Sequence, residues 1–202
     1  MTFSIVRPAA ALLLVMTLVT GIAYPLVITC IARIAFADEA AGSLITRHGA
    51  PVASRLIGQS FTDPKYFWSR PSATTPQPHN GIASGGSNQG PLNPALIDAV
   101  KQRVAALRAA DPGNTQPVPI DLVTASASGL DPHVSVAGIE YQMPRVARNR
   151  HLSAENIRKL VAQYTERKSF GLLGEVRVNA VQLNLALDGV SDRTPVAGSA
   201  SN

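Results

Sequence analysis

The chain has 202 residues, 46% apolar and 15% charged, with a formal net charge of +5 and one cysteine. The length fits one domain with at most an appendage, and a lone cysteine excludes a disulfide framework. Seven Lys or Arg against two Glu between Arg145 and Lys168 carry the whole net charge. Aromatic interleaving of the stacking type is absent there, which argues against nucleic acid as a partner. The cluster reads as a solvated helical face, with a patch for anionic lipid or an acidic partner as the alternative.

In chain order, residues 1–8 form a short tail and 9–32 a transmembrane helix. No charged side chain occurs from Pro8 to Ala32, and Arg7 and Arg33 bracket the gap. Such a run extends about 37 Å as a helix, against a hydrocarbon core of ~30 Å. A cleaved signal peptide is the rival, since "AFA" at 35–37 resembles a cleavage site. Signal h-regions are only ~7–15 residues long and follow a more basic start, so an uncleaved anchor is preferred. Gly21 and Pro25 lie inside the span, where breakers point to packing against other membrane helices. The flanking charges leave orientation open. Cys30 sits within the span, so the soluble part has no thiol and fits either compartment.

A linker over 33–42 leads to a soluble domain over 43–188. "SLITRHGAPVASRLIGQSF" predicts a hairpin, with arms Ser43–Thr46 and Val52–Ile57 about an His-Gly turn. Tyr66, Phe67 and Trp68 then anchor a long irregular loop, kept irregular by Pro71, Pro76 and Pro78. Asn93 caps a helix that starts at Pro94, with Leu96, Val100, Val104 and Leu107 on one face. Ile120–Val123 is a short apolar piece before a Ser/Gly turn. Ser135 caps a helix through Arg150 that Pro144 should kink or restart. Ser153 caps the next, stapled by Leu152 and Ile157. "GEVRVNAVQLNLALD" alternates and changes phase between Ala180 and Val181, as at a bulge or as a strand followed by a helical turn. Residues 189–202 form a polar, disordered tail. The expected fold is α+β: a single N-terminal transmembrane helix followed by one compact mixed α/β soluble domain.

The stretch "GIASGGSNQGPLNP", residues 81–94, invites a phosphate. Gly81 and Gly86 have Walker A separation, but Ser87 stands where that loop needs Lys. No Lys or Arg occurs from Pro71 to Val100. Backbone amides and a helix N-terminus offer only ~+0.5 charge to a polyphosphate. Ser84, Gly85, Gly86, Ser87, Asn88 and Gln89 are therefore a nucleotide- or partner-binding loop, with a tight glycine turn as the plain structural reading. "SGGSNQG" also resembles in part the Ser-Gly-Gly-Gln signature loop of ABC transporter ATPases, which completes a site on a partner. The four histidines lack metal-ligand spacing, and no metal is expected. Ser126, Ser128, Asp131 and His133 lie close in "SASGLDPH" and would suit a membrane-tethered extracytoplasmic hydrolase. The Gly-x-Ser-x-Gly elbow is missing, so this is the alternative function.

Taken together, "GSLI", "SRLIGQSF", "YFWSRPSA", "SGGSNQGPLNP", "VPIDLVTASASGLDPH", "YQMPRVARNR" and "GLLGEVRVNAVQLNLALD", in that order after one span, resemble the C subunit family of the bacterial Kdp potassium-transporting ATPase. The likeness covers the chain to about Asp188, departing at Ala127 and near His79. It implies a non-catalytic accessory subunit in the inner membrane. Its implied partners are the channel-like KdpA, the ATP-hydrolysing KdpB and the small KdpF. It further implies a role in assembly or as a catalytic chaperone that raises the ATP affinity of KdpB. No cofactor of its own is expected, and ATP enters only as a ligand shared with KdpB. The family is also pictured with the domain outside the membrane, resting on KdpA, which sets the N-terminus in the cytoplasm and the domain in the periplasm; Trp68 and Arg70 are the candidate docking residues. The two pictures conflict, because ATP is cytoplasmic.

Overall fold

A mostly apolar helical stretch of 31 residues runs from Ile5 to Ala35, none of it buried. At ~1.5 Å per residue it is long enough to cross a ~30 Å core with tilt to spare. In the computed structural model, which describes residues 3–189, the stretch comprises α1 (Phe3–Leu18), a π-turn (Val19–Ala23) and α2 (Tyr24–Ala35). The wide turn falls on the two breakers. Pro25 lacks an N–H, and its ring crowds the carbonyl of Gly21 four residues back. The backbone absorbs one extra residue: the Tyr24 N–H donates to Val19 O, five positions earlier. Thr20 Oγ1 donates to Met16 O at 2.7 Å beside it. A single turn, α3 (Ala37–Ala40), follows near the end of this unit.

The second unit opens with a hairpin, β1 (Leu44–Arg47) and β2 (Ala50–Ser54). Its turn residues His48 and Gly49 both have positive φ, 51° and 81°, which matches the twist of the flanking strands. The return strand starts and ends earlier than its sequence suggests. Residues 55–93 carry no regular element, and then come α4 (Pro94–Ala110) and a 3-10 turn at Ile120–Leu122. Beyond them lie β3 (His133–Ser135), α5 (Val136–Arg150), α6 (Ala154–Gln163), β4 (Thr165–Glu166), β5 (Arg177–Asn179) and α7 (Ala180–Leu187). A small antiparallel sheet has the order β3-β5-β4, with Val134 opposite Val178 and Thr165 opposite Val178.

Caps set the helix boundaries. Asn93 accepts from the Ala95 N–H, Ser135 from Gly138 and Ser153 from Asn156. Helix α5 runs through Pro144 as one element and stops at His151, which takes the left-handed conformation. Asn179 ends β5 and caps α7, its Oδ1 accepting from the Gln182 N–H at 3.1 Å. The phase change in "NAVQLNLALD" is therefore a strand-to-helix switch and not a bulge. Phe67, Val134, Ile139, Val146, Ile157, Val178 and Leu183 form the centre of the core, each at most 1% exposed. The core thus sits between the small sheet and α5, α6 and α7, and the irregular segment inserts Phe67 into it. The expected polar tail, 189–202, lies outside the described residues from position 190 onward.

Candidate functional site

The irregular segment is held by side chains in place of a strand ladder. The Phe67 N–H donates to Asn184 Oδ1 at 2.9 Å, and Asn184 Nδ2 donates to Phe67 O at 2.8 Å. Gln142 does the same for the next peptide, accepting from the Trp68 N–H at 2.7 Å and donating to Trp68 O at 3.2 Å. Two carboxamides, from α7 and α5, thus satisfy backbone groups that a buried loop would otherwise leave unpaired. The guanidinium of Arg145 lies 4.7 Å from the Trp68 ring centroid, and that of Arg150 lies 4.7 Å from the Tyr66 ring. Tyr66 Oη donates to Asp188 Oδ2 at 2.7 Å. Burial pushes the Arg145 pKa down to about 10, and its Nη1 and Nη2 donate to Pro64 O and Gln142 Oε1, both at 2.7 Å.

This changes the reading of the basic cluster. Arg145 is buried, Arg148 is bonded to the buried Asp111, and Arg150 pairs with Asp188 at 2.7 Å. Arg145 and Arg150 are fasteners for "YFW", and Arg148, itself exposed, ties down the end of α4 through Asp111. The solvated reading holds for α6, where Lys159 meets Glu155 as an exposed pair.

The glycine loop packs against the Ser/Gly turn that precedes β3. The Gly85 N–H donates to Ser128 O at 2.9 Å, and Ser84 Oγ donates to the same carbonyl at 3.0 Å. A Cβ on Gly86 would stand 2.7 Å from Ala127 O. Gly129, with φ +69°, faces Gly85 O and Thr74 in the same way. The glycines here allow two backbones to touch, which is a packing role. Ser87 and Asn88 face solvent, Gln89 is half-buried, and none of the three side chains bonds to another described residue. On either side the loop displays Ile82, 98% exposed, and Leu92, 89% exposed.

Trp68 and Arg70 line a cleft of about 300 Å³ with Phe61, Arg103 and His79, and no residue of Ser84–Gln89 reaches it. Arg70 begins a chain of charges. Its Nη1 lies 3.2 Å from Asp131 Oδ2, Asp131 Oδ1 lies 3.0 Å from His133 Nδ1, and His133 Nε2 lies 3.1 Å from Glu166 Oε1. Arg177 closes it, 2.9 Å from Glu166 Oε2. Burial would lower the His133 pKa, but hydrogen bonds with Asp131 and Glu166 outweigh it and hold it above the usual value. The His133 bond draws Glu166 down to about 2 against its own burial, with Arg177 assisting.

That arrangement removes the hydrolase chemistry. Both ring nitrogens of His133 face carboxylates, so neither is placed to take a proton from a serine hydroxyl. Ser128 Oγ instead accepts from the Leu130 N–H at 3.1 Å, fixing its own turn. Asn184, Gln142 and Glu166 escape a reading of motifs alone. For Asn184 and Gln142 the signal is a polar residue where helical spacing demands an apolar one, as Asn184 between Leu183 and Leu185, whereas Glu166, in a two-residue strand, carries none.

A family model described as "KdpC: K+-transporting ATPase, c chain" matches residues 6–189. The "Potassium-transporting ATPase KdpC subunit" of Polaromonas naphthalenivorans is 64% identical over 185 residues, covering 92% of this chain and 94% of that protein. The subunit of the same name from Dechloromonas aromatica is 57% identical over 188 residues, covering 93% and 98%. That of Variovorax paradoxus is 60% identical over 185 residues, covering 92% and 96%.

Proposed function

The chain belongs to the KdpC family, the c chain of K+-transporting ATPases, and we propose that it serves as a non-catalytic accessory subunit of an ATP-driven potassium-uptake complex. Its span sits in the inner membrane against helices of the other subunits, with the N-terminus in the cytoplasm and the domain in the periplasm. The domain docks on the channel-like KdpA through the glycine loop, with Trp68 and Arg70 at the adjoining cleft. KdpB and KdpF complete the assembly.

One observation carries this reading. A loop whose Gly86 is already committed to backbone packing presents two almost fully exposed aliphatic side chains, Ile82 and Leu92, and no cation. Exposed aliphatic groups suit a protein surface, because removing them from water is favourable. A polyphosphate needs the opposite chemistry. In the catalytic-chaperone account, Ser87, Asn88 and Gln89 would contribute polar contacts to ATP held chiefly by KdpB. Nothing on this loop would then neutralise the phosphates.

The test is co-purification of the complex carrying Ile82→Asp with Leu92→Asp. Loss of KdpA from a chain that keeps its native circular dichroism is the expected result. A normal complex from the double variant, together with azido-ATP labelling abolished by Gln89→Ala, would favour the chaperone account. A topology reporter after Asp188, active only in the cytoplasm, would count equally against docking from the periplasm.

A further inference from the structure

The turn between β4 and β5 has no role in the docking surface described above, yet its shape is specific. Ser169 and Leu173 pair through both backbone bonds, at 2.8 and 2.9 Å, while Gly171 and Leu172 N–H groups donate to Lys168 O and Ser169 O. The backbone at the tip is thereby closed on itself. Phe170 and Gly171 both take positive φ, 54° and 71°. For an aromatic residue this is a strained conformation, and such strain persists where a site uses it. Its effect is outward projection: Phe170 is 99% exposed, Leu172 79% and Leu173 61%.

Charge surrounds this apolar tip on the chain. Arg167 is exposed and has no ion pair among the described residues. Lys168 is only loosely held, 3.4 Å from Glu175, and Arg177 is tied to Glu166. Apolar groups ahead of flanking cations form the pattern of interfacial membrane anchors, where rings and aliphatic chains enter the acyl boundary and cations meet lipid phosphates. We propose that the 167–173 turn dips into the surface of an anionic bilayer, with Phe170, Leu172 and Leu173 as the inserted groups and Arg167 and Lys168 at the headgroups. Insertion is shallow, because four of the turn's N–H groups are bonded within it while the tip carbonyls still need water or headgroup donors at the interface.

The bilayer is also within reach by connectivity. The span ends at Ala35 and β1 begins at Leu44, leaving eight intervening residues. Fully extended they cover at most ~28 Å. A tethered domain meets the surface at an effective concentration of order mM, so insertion of three side chains need not be tight to be populated.

The full chain tests this with Cys30→Ser and Ser169→Cys, labelled at the new thiol with an environment-sensitive dye and reconstituted in phosphatidylcholine vesicles with or without phosphatidylglycerol. Expected are blue-shifted emission and quenching by brominated lipid, at least twofold stronger with the anionic lipid. Adding Phe170→Ser and Leu172→Ser should abolish both, while the native Trp68 emission shows that the core is intact. A dye that stays in water in both vesicles overturns the proposal. So does a dye shielded from water only when the partner subunits are added and never quenched by lipid, which would make the turn a protein interface.

Discussion

Asn184 and Phe67, 117 positions apart, form a two-bond pair in which a side-chain amide takes the place of a neighbouring strand. Both are fully buried. Replacing Asn184 by Leu keeps the volume but leaves the N–H and C=O of Phe67 without partners. Each orphan costs about 1–3 kcal/mol, so the full chain in detergent should lose roughly 2–5 kcal/mol. Urea unfolding followed by Trp68 fluorescence should show a lower midpoint with an unchanged slope. A midpoint within error of the parent would mean that the pair contributes nothing.

The two adjacent glycines of the loop should respond differently. A methyl on Gly85 meets no atom within 4 Å, and its backbone is not in the left-handed region. A methyl on Gly86 would stand 2.7 Å from the carbonyl oxygen of Ala127, which is backbone and cannot turn aside. Gly85→Ala is expected to change stability by less than about 1 kcal/mol, or to stabilise slightly. Gly86→Ala should cost roughly 1–3 kcal/mol by forcing the loops apart. Thermal unfolding of the two variants side by side checks the order, and equal melting points would refute the packing role.

Much of this was legible in the sequence, for identifiable reasons. Caps such as Asn93, Ser135 and Ser153 announce helices because few side chains can satisfy a first-turn N–H. The uncharged run ahead of Arg33 announces a membrane helix by length alone. The sheet was not legible, since β3, β4 and β5 have three, two and three residues. Alternation needs more residues than that to be seen. Arg145 was misread as surface because charge is normally solvated, and only tertiary contacts show which cation is buried. Likewise the packing of "SGGSNQG" against the turn at 127–129 was not legible, since it joins segments some forty residues apart.

Arg145 joins three parts of the fold: the Trp68 ring, the Pro64 carbonyl and Gln142. Arg145→Lys retains charge but loses the planar fork that serves these partners together. It is expected to cost about 2–4 kcal/mol, while Arg145→Met, which leaves no uncompensated charge, should be no worse. Both should shift Trp68 emission, since the cation over its face is removed or moved. If the lysine variant matched the parent in melting temperature, a buried point charge would suffice there and the fork would be irrelevant.

The charge chain through His133 predicts a stability optimum in mildly acidic solution. Burial lowers the His133 pKa, yet Asp131 on Nδ1 and Glu166 on Nε2 raise it further, while the nearby Arg177 opposes them. Its folded pKa therefore lies above the unfolded value of ~6.5. The stabilisation is complete below that unfolded value and is lost as pH rises through the folded one. Glu166 works in the other direction. Held down to about 2 by His133 and Arg177, it stabilises the fold above its unfolded value of ~4.3 and loses that contribution as pH falls toward 2. Asp131 adds to the acid limb: burial raises its pKa, but its bonds to His133 and the charge of Arg70 bring it below the usual value. The contribution of this charge chain should thus be largest between about pH 4.5 and 6.5 and fall on both sides, while His79, whose pKa burial lowers, opposes it as pH falls below the unfolded value. His133→Gln should flatten the alkaline limb and cost about 1–3 kcal/mol near pH 6, because it removes a charged donor from two carboxylates. Its acid limb should also shallow, since Glu166 loses the partner that lowered it most. An alkaline limb in that variant as steep as in the parent would place the titrating group elsewhere.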